Sequence, residues 1–417
     1  MYYVGLDAHA KSYNGDILDD NGKLFKRFEI RGTRENLLAE LKRIPGPFRV
    51  CYEASCGYGV LHEALSPLAQ SVQVAHPGHL RLIFRSKRKN NRLDAARLAK
   101  LLYLGEVPAV HVPPKPVRQW RQVIEFRQRL LGERVRVKNR IRAFLRGEGI
   151  DPPKSLWSRK GIVWLKALEL EECCALQRDL LEDQLREQNQ RIERVESCLA
   201  RPAEGHPGIA LLRTIPGVGP RTAEALIAYI DDVKRFGSVK QVGCYFGMVP
   251  CQDASGDQNR LGHITRDGPA TVRKLICEAA WTGIRRSPTI KAYYQRVQRG
   301  DPERKKIALV ATAHYLLRVA AALLRSGECW REAGDAQPRQ PGGSAPQTPR
   351  NLSLLGPPAE AQEAAPPSNA ACCRMAVAAA LGSDSSVALS SAATQVSIAP
   401  EKARRPGVSG GIEGELS

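Results

Sequence analysis

Tyr2-Tyr3-Val4-Gly5-Leu6-Asp7 is an apolar run that stops on a carboxylate. A short run of this kind, with no helical period, reads as a buried strand. Phe48-Arg49-Val50-Cys51-Tyr52 reads the same way and stops on Glu53. A third carboxylate, Asp94, lies in Arg92-Leu93-Asp94-Ala95-Ala96-Arg97-Leu98, which reads as the start of a helix. A carboxylate at the end of a buried strand points out of the sheet edge beside its neighbour. Two or three gathered there repel one another unless a divalent cation sits between them. A two-metal phosphoryl-transfer site needs such oxygens around ions about 3.5–4 Å apart, and magnesium prefers them. The plainer reading stays open: Asp at a strand end also starts turns, and Asp94 can cap its helix.

Outward from these three residues, strands are expected at 2–7, 12–18, 23–30, 48–53 and 71–75, and helices at 33–43, 58–68 and 91–104. Asp19-Asp20-Asn21-Gly22 is a hairpin signal between the second and third strands. The order β-β-β-α-β-α-β-α predicts an α/β fold, a mixed sheet with an antiparallel meander on one side, which suits a ribonuclease-H-like domain over 1–112. Residues 115–150 read as one long helix with Trp120, Ile124, Leu131, Val137, Ile141 and Leu145 near helical spacing. A second helix is expected over about 166–200, mixed in charge, either a folded-back partner inside the chain or a coiled-coil arm that pairs two chains. These two make up a helical region over 113–203. A mainly α unit follows over 204–330. After Arg331 the composition turns to Ala, Pro, Ser and Gly, and a disordered tail is expected over 331–417.

The chain has 417 residues and a formal net charge of +20. The segment from Arg331 onward has seven basic and eight acidic residues, so it is near −1 and residues 1–330 carry about +21. That concentration favours a polyanion as partner, since each neutralised phosphate releases counterions. Eleven cysteines form no CxxC pair and no Cys/His cluster at zinc spacing, which fits reduced thiols in a cytosolic protein. No signal peptide and no stretch of about 18 apolar residues is evident, so no membrane association is expected.

Four further features bear on nucleic acid. Ile215-Pro216-Gly217-Val218-Gly219-Pro220-Arg221-Thr222-Ala223 reads as a helix, a glycine turn and a new helix, similar to a helix-hairpin-helix. Outward backbone amides at Gly217 and Gly219 and a positive helix start would favour a phosphate; a connection that needs glycine for packing is the alternative. Ala254-Ser255-Gly256-Asp257 reads as a polar loop in which Ser255 is accessible for attack on phosphorus, although most Ser-Gly pairs are simply turns. Arg266, Arg273 or His263 would stabilise charge beside it. Lys87, Arg88 and Lys89, just before Asp94, and ten basic residues between Arg118 and Arg146 fit a groove for a nucleic-acid backbone, or else a solvated surface.

Together these blocks resemble the DEDD transposases of bacterial insertion sequences, the "one-ten" class that includes the "eleven-eleven" group. Tyr3-Val4-Gly5-Leu6-Asp7, Tyr52-Glu53-Ala54-Ser55 and Lys89-Asn90-Asn91-Arg92-Leu93-Asp94-Ala95 are similar to the three blocks of its RuvC-like domain. Ile215 to Gly219, Gly247-Met248-Val249-Pro250, Ser255-Gly256 and Gly262-His263-Ile264-Thr265-Arg266-Asp267-Gly268 are similar to its C-terminal transposase domain. The resemblance covers about 1–325. It implies that Asp7, Glu53, Asp94 and the position of Asn91 bind Mg2+, and that Ser255 forms a covalent phosphoserine link with DNA. It also implies partners: element ends and target DNA, a structured element-encoded RNA in some members, and a homo-oligomer.

One position departs from the family's pattern. Its third block reads Lys-x-Asp-x-x-Asp-Ala, and here the first aspartate is Asn91. An amide keeps one neutral oxygen and loses a charge, so two cations would be held less well. A weakened or inactive copy is therefore expected. Two other readings use the same residues: a RuvC-like structure-specific nuclease, in which water attacks and Ser255 is dispensable, and a non-catalytic DNA- or RNA-binding remnant.

Overall fold

The computed structural model describes residues 1–55, 57–84, 91–255 and 258–334, with the backbone alone at 91, 92, 253–255, 258 and 259. Lys87, Arg88, Lys89, the Gly256-Asp257 pair and the expected tail from 335 on therefore lie outside the described residues.

The first unit is built on five strands: β1 (Tyr2–Ala8), β2 (Ser12–Leu18), β3 (Leu24–Arg31), β4 (Phe48–Glu53) and β5 (Ser71–Ala75). Their spatial order is β3-β2-β1-β4-β5. The β1, β2 and β3 strands form the antiparallel meander, and β1, β4 and β5 run parallel. Asp19 sets the β2–β3 turn, its Oδ1 accepting from the Asn21 and Lys23 amides at 2.9 and 2.8 Å. The helices are α1 (Arg34–Leu41), α2 (Tyr58–Leu65), α3 (Pro77–Ile83) and α4 (Asn91–Leu104).

Alternation along the strands sorts the two faces. Val4, Leu6, Ile17, Val50 and Tyr52 pack with Leu37, Leu41, Leu61 and Leu65 of α1 and α2. Cys51 and Ala75 pack on the opposite face with Leu80 of α3 and Leu98, Leu101 and Leu102 of α4. The result is a mixed sheet between helices, consistent with the expected ribonuclease-H-like arrangement. The α3 helix was not expected. Its signal is local: Pro77 opens it, and the His76 side chain accepts from the His79 amide.

The helix α5 (Lys115–Gly147) is followed by α6 (Arg159–Lys166) and α7 (Glu172–Ala203). Arg127 pairs with Glu196 and Arg134 donates to Asn189 at 3.4 Å, so α5 and α7 run antiparallel within one chain. Their far halves share a small core of Val137, Ile141, Leu145, Leu181 and Leu185. Their near halves belong to a different core. Trp120, Val123, Ile124, Ile192, Val195 and Leu199 pack with the C-terminal unit. The packing thus crosses the boundary expected near 203.

That unit comprises α8 (Pro207–Arg213), α9 (Pro220–Ile230), α10 (Val239–Tyr245), β6 (Pro250–Ser255), β7 (Gln258–Ile264), α11 (Ala270–Arg286), α12 (Pro288–Gln298) and α13 (Lys305–Ser326). By length and composition α13 is apolar enough to match a membrane span. Here Ala308, Ala313, Leu316, Leu317, Ala320 and Ala321 are buried in the shared core. The polar loop expected around Ser255 is instead a two-stranded hairpin with Ser255 closing β6 opposite Gln258. Cross-strand pairs such as Asp253–Arg260 lack the apolar alternation that betrays a strand. Residues 331–334 extend the unit past its expected end at 330. Glu332 accepts from Ser287 Oγ at 2.9 Å and from the Thr289 amide at 3.1 Å, fastening the chain to the start of α12.

Candidate active site and nucleic-acid surfaces

The strand register brings Asp7 and Glu53 side by side. The β1–β4 pairing runs in parallel through Gly5↔Cys51 and Leu6↔Tyr52, and Asp7 and Glu53 each come one residue later. Two residues separate Asp7 from Gly5 and Glu53 from Cys51, so both carboxylates lie on the Gly5/Cys51 face, the face that α4 covers. The direction of α4 follows from two contacts: Tyr103 meets Tyr3 edge-on at 5.3 Å, and Ala95 lies over Gly5. The first turn of α4, with Asp94, therefore sits toward the Asp7 end of β1.

The geometry at Asp94 is not that of a closed metal cage. Its Oδ1 lies 3.4 Å from Arg97 Nη1, and the Arg97 guanidinium stacks 5.0 Å from the Phe84 ring. Asp7 Oδ2 lies 3.1 Å from His9 Nε2. Among the described residues no group of three His, Cys, Asp or Glu converges closely enough to hold an ion. The donor set nonetheless suits magnesium: oxygens from adjacent strands and a helix, with no cysteine among them. The side chain of Asn91 lies outside the described residues.

The site has neighbours that the sequence did not announce. Asn14 and Asp16 of β2 stand opposite Asp7 and Gly5, and alternation puts them on the same face. Both are buried. Asp16 accepts two bonds from Arg27 on β3, at 2.8 and 2.7 Å, which raise the Arg27 pKa and satisfy the buried carboxylate. The next row across β3, β2 and β1 is Glu29, Asn14 and Asp7. The one signal was the spacing of polar Asn14 and Asp16 within an otherwise strand-like segment.

The loop that carries Arg266 and Asp267 approaches the same end of the sheet. His76 follows β5 directly, one residue beyond Ala75, which pairs with Glu53. Burial lowers the His76 pKa, the nearby His79 lowers it further, and the Asp267 carboxylate opposes both. Asp267 is therefore near enough to His76 to act on it electrostatically. This loop follows β7, the strand that pairs with the Ser255 strand. Arg266 is exposed, in a left-handed conformation with φ 61°. Arg273 is committed to the fold: its Nη1 donates to the carbonyls of Phe246, Asp267 and Gly268, at 3.3, 2.5 and 3.0 Å. The Ser255 side chain lies outside the described atoms.

The glycine turn joins α8 to α9. Gly217 lies at φ +94°, and a Cβ there would meet the Ala279 carbonyl oxygen at 2.3 Å and the Gly283 nitrogen at 2.6 Å. Its lack of a side chain serves close packing on α11. A Cβ at Gly219, just before α9, would meet nothing within 4 Å, so its surroundings are open. Arg221 is paired with the buried Glu224 at 2.8 Å and donates to the Glu196 carbonyl at 3.3 Å. On α5, Arg129, Arg136, Arg140, Arg142 and Arg146 are exposed.

Comparison with known proteins agrees at both ends of the chain. The DEDD transposase pattern of IS110 elements matches residues 4–149, and that of the Transposase IS116/IS110/IS902 family matches residues 209–295. The chain is 27% identical over 343 residues to a Pseudomonas aeruginosa protein named "Probable family 20 transposase", across 79% of this chain and 98% of that one. It is 27% identical over 283 residues to the transposase for insertion sequence element IS1328 of Yersinia enterocolitica, across 66% of this chain and 82% of that one. It is 24% identical over 284 residues to the transposase for IS1111A of Coxiella burnetii, across 66% and 76%.

Proposed function

The chain belongs to the transposases of IS110-type insertion sequences, and from that premise we propose that Asp7, Glu53 and Asp94 hold Mg2+ while Ser255 is the nucleophile of DNA strand transfer. The observation that carries this reading is the register of β1 and β4, with Asp7 and Glu53 adjacent under the first turn of α4.

In the proposed step the Ser255 hydroxyl oxygen attacks a phosphorus of the DNA backbone. The Oγ–P bond forms and the bond from phosphorus to one sugar oxygen breaks. The electron pair leaves with that oxygen, which takes up a proton, and the serine proton passes to a carboxylate of the site. A hydroxyl of a second strand then attacks the phosphoserine and regenerates the free side chain, so the bond energy is conserved. When bound, the ion supplies neutralisation of the phosphoryl oxygens. Exposed Arg266 adds positive charge beside them. The exposed arginines of α5 track the backbone of the element ends, or of an RNA that the element encodes. We further propose that Asn91, in place of a fourth carboxylate, leaves this copy impaired.

Incubation of the purified protein with element-end DNA and Mg2+, followed by denaturing electrophoresis, tests the chemistry. A covalent DNA adduct is expected, absent in Ser255→Ala and Asp7→Ala while DNA binding survives in both. Metal-dependent cleavage that persists in Ser255→Ala without an adduct would establish the nuclease reading instead.

A further inference from the structure

A groove of about 630 Å³ lies between α11 and α13, lined by none of Asp7, Glu53 and Asp94. Trp281 lines it and is 49% exposed. Leu309 and Cys277 add apolar lining, and Lys305 and Lys306, both exposed, add charge. A half-exposed indole is apolar surface that a partner can still remove from water. Trp281 is the only tryptophan among the described residues that is exposed to this degree; Trp120 is in the core, and Trp157 is covered by Lys138 and Arg142 at 4.9 and 5.3 Å.

We propose that this groove binds single-stranded DNA, with Trp281 stacked on an unpaired base and Lys305 and Lys306 on the flanking phosphates. An apolar lining together with exposed cations matches the two faces of a nucleotide, a flat ring and an anionic link. Charge selects this occupant. Glu278 is the one carboxylate in the lining, against two lysines, and Lys274 and Arg285 extend the same exposed side of α11. An acidic peptide would leave the indole uncovered, and a duplex keeps its base faces stacked. DNA rather than RNA follows from the proposed function, on which this inference rests and in which strand cleavage frees unpaired ends. Position agrees. The α11 helix starts just beyond Arg266 and Asp267, and Trp281 lies eleven residues from Ala270, about 16 Å along the axis. That distance spans a few nucleotides, so a strand leaving the hairpin base reaches the indole.

The test is fluorescence anisotropy of the full-length protein with a labelled oligodeoxynucleotide, beside its duplex and the matching oligoribonucleotide. Trp281→Ala is expected to weaken single-strand binding about tenfold and to leave duplex binding unchanged. Trp281→Phe keeps an aromatic face and is expected to stay within about threefold, which separates stacking from misfolding. Removing both lysines should lower the salt slope by about 1.4. Ser255→Ala should bind as the parent does, so failure of the serine chemistry leaves this result standing. Single-strand affinity unchanged in Trp281→Ala, or an equal loss on duplex, would overturn the proposal. So would tighter, Trp281-dependent binding of the oligoribonucleotide, or a change of oligomeric state in Trp281→Ala with unaltered oligonucleotide binding.

Discussion

Gly5 of β1 lies so close beneath α4 that a Cβ on it would stand 2.2 Å from the Ala95 carbonyl oxygen and 2.2 Å from the Ala99 nitrogen. This contact sets the height of α4 above the sheet, and with it the position of Asp94 relative to Asp7. Neither neighbour can yield, because both are backbone atoms of a regular helix.

Gly5→Ala is therefore expected to lower stability by about 3 kcal/mol, the upper end for overpacking, through displacement of α4. DNA cleavage should fall further than stability does, since Asp94 moves with the helix. Chemical denaturation and a cleavage assay on the same preparation check the two effects, and unchanged stability would show that α4 is not seated on Gly5.

Asn91→Asp should restore the fourth carboxylate at the start of α4. Tighter Mg2+ binding is expected, read as a larger upward shift of the melting temperature with added Mg2+, together with a gain in strand cleavage. No gain in either measurement would remove Asn91 as the reason for impairment.

The two turn glycines should behave oppositely. Gly217→Ala places a side chain against α11 at a left-handed φ and is expected to cost roughly 2–4 kcal/mol in thermal or chemical unfolding. Gly219→Ala meets no neighbour at φ −85° and should leave stability within about 0.5 kcal/mol. Weaker DNA binding in Gly219→Ala at unchanged stability would assign the turn a phosphate contact.

His206 makes stability depend on pH. Its Nδ1 accepts from the Gly208 amide at 3.1 Å, and its Nε2 is buried without a partner. Burial is the main cause that lowers its pKa below the usual histidine value. The unfolded chain then binds the proton more readily than the folded one. Stability is complete above about pH 6.5 and is lost as pH falls toward the folded value. His62, His76 and His314 shift in the same direction, each through burial first. Denaturation midpoints should accordingly drop between pH 7 and pH 5, and His206→Asn, which retains a capping oxygen without titrating, should flatten part of that drop.

Much of the first unit was legible because its signals are local. The strands at 12–18, 48–53 and 71–75 and the helix at 91–104 stand where periodicity put them. The α3 helix was missed, since its seven residues follow the cap His76-Pro77 with almost no periodic length. The β6–β7 hairpin was missed because its pairs are polar. Arg221, in the glycine-turn motif, and Arg273, expected to stabilise charge near Ser255, are employed internally by the fold, on Glu224 and on the carbonyls of the 267–268 loop. A sequence records that an arginine is present, not which acceptor lies within its reach.

Residue type and spacing along the chain were enough for the family, for the charge that calls for a polyanion, and for three carboxylates at element ends. Folding in three dimensions added what no spacing contains: Asp7 and Glu53 are neighbours, Asn14 and Asp16 share their face, and Trp281 lines one groove with Lys305 and Lys306. Each of these depends on a strand register or a helix crossing, and register is set by which apolar faces bury together across segments far apart in the chain.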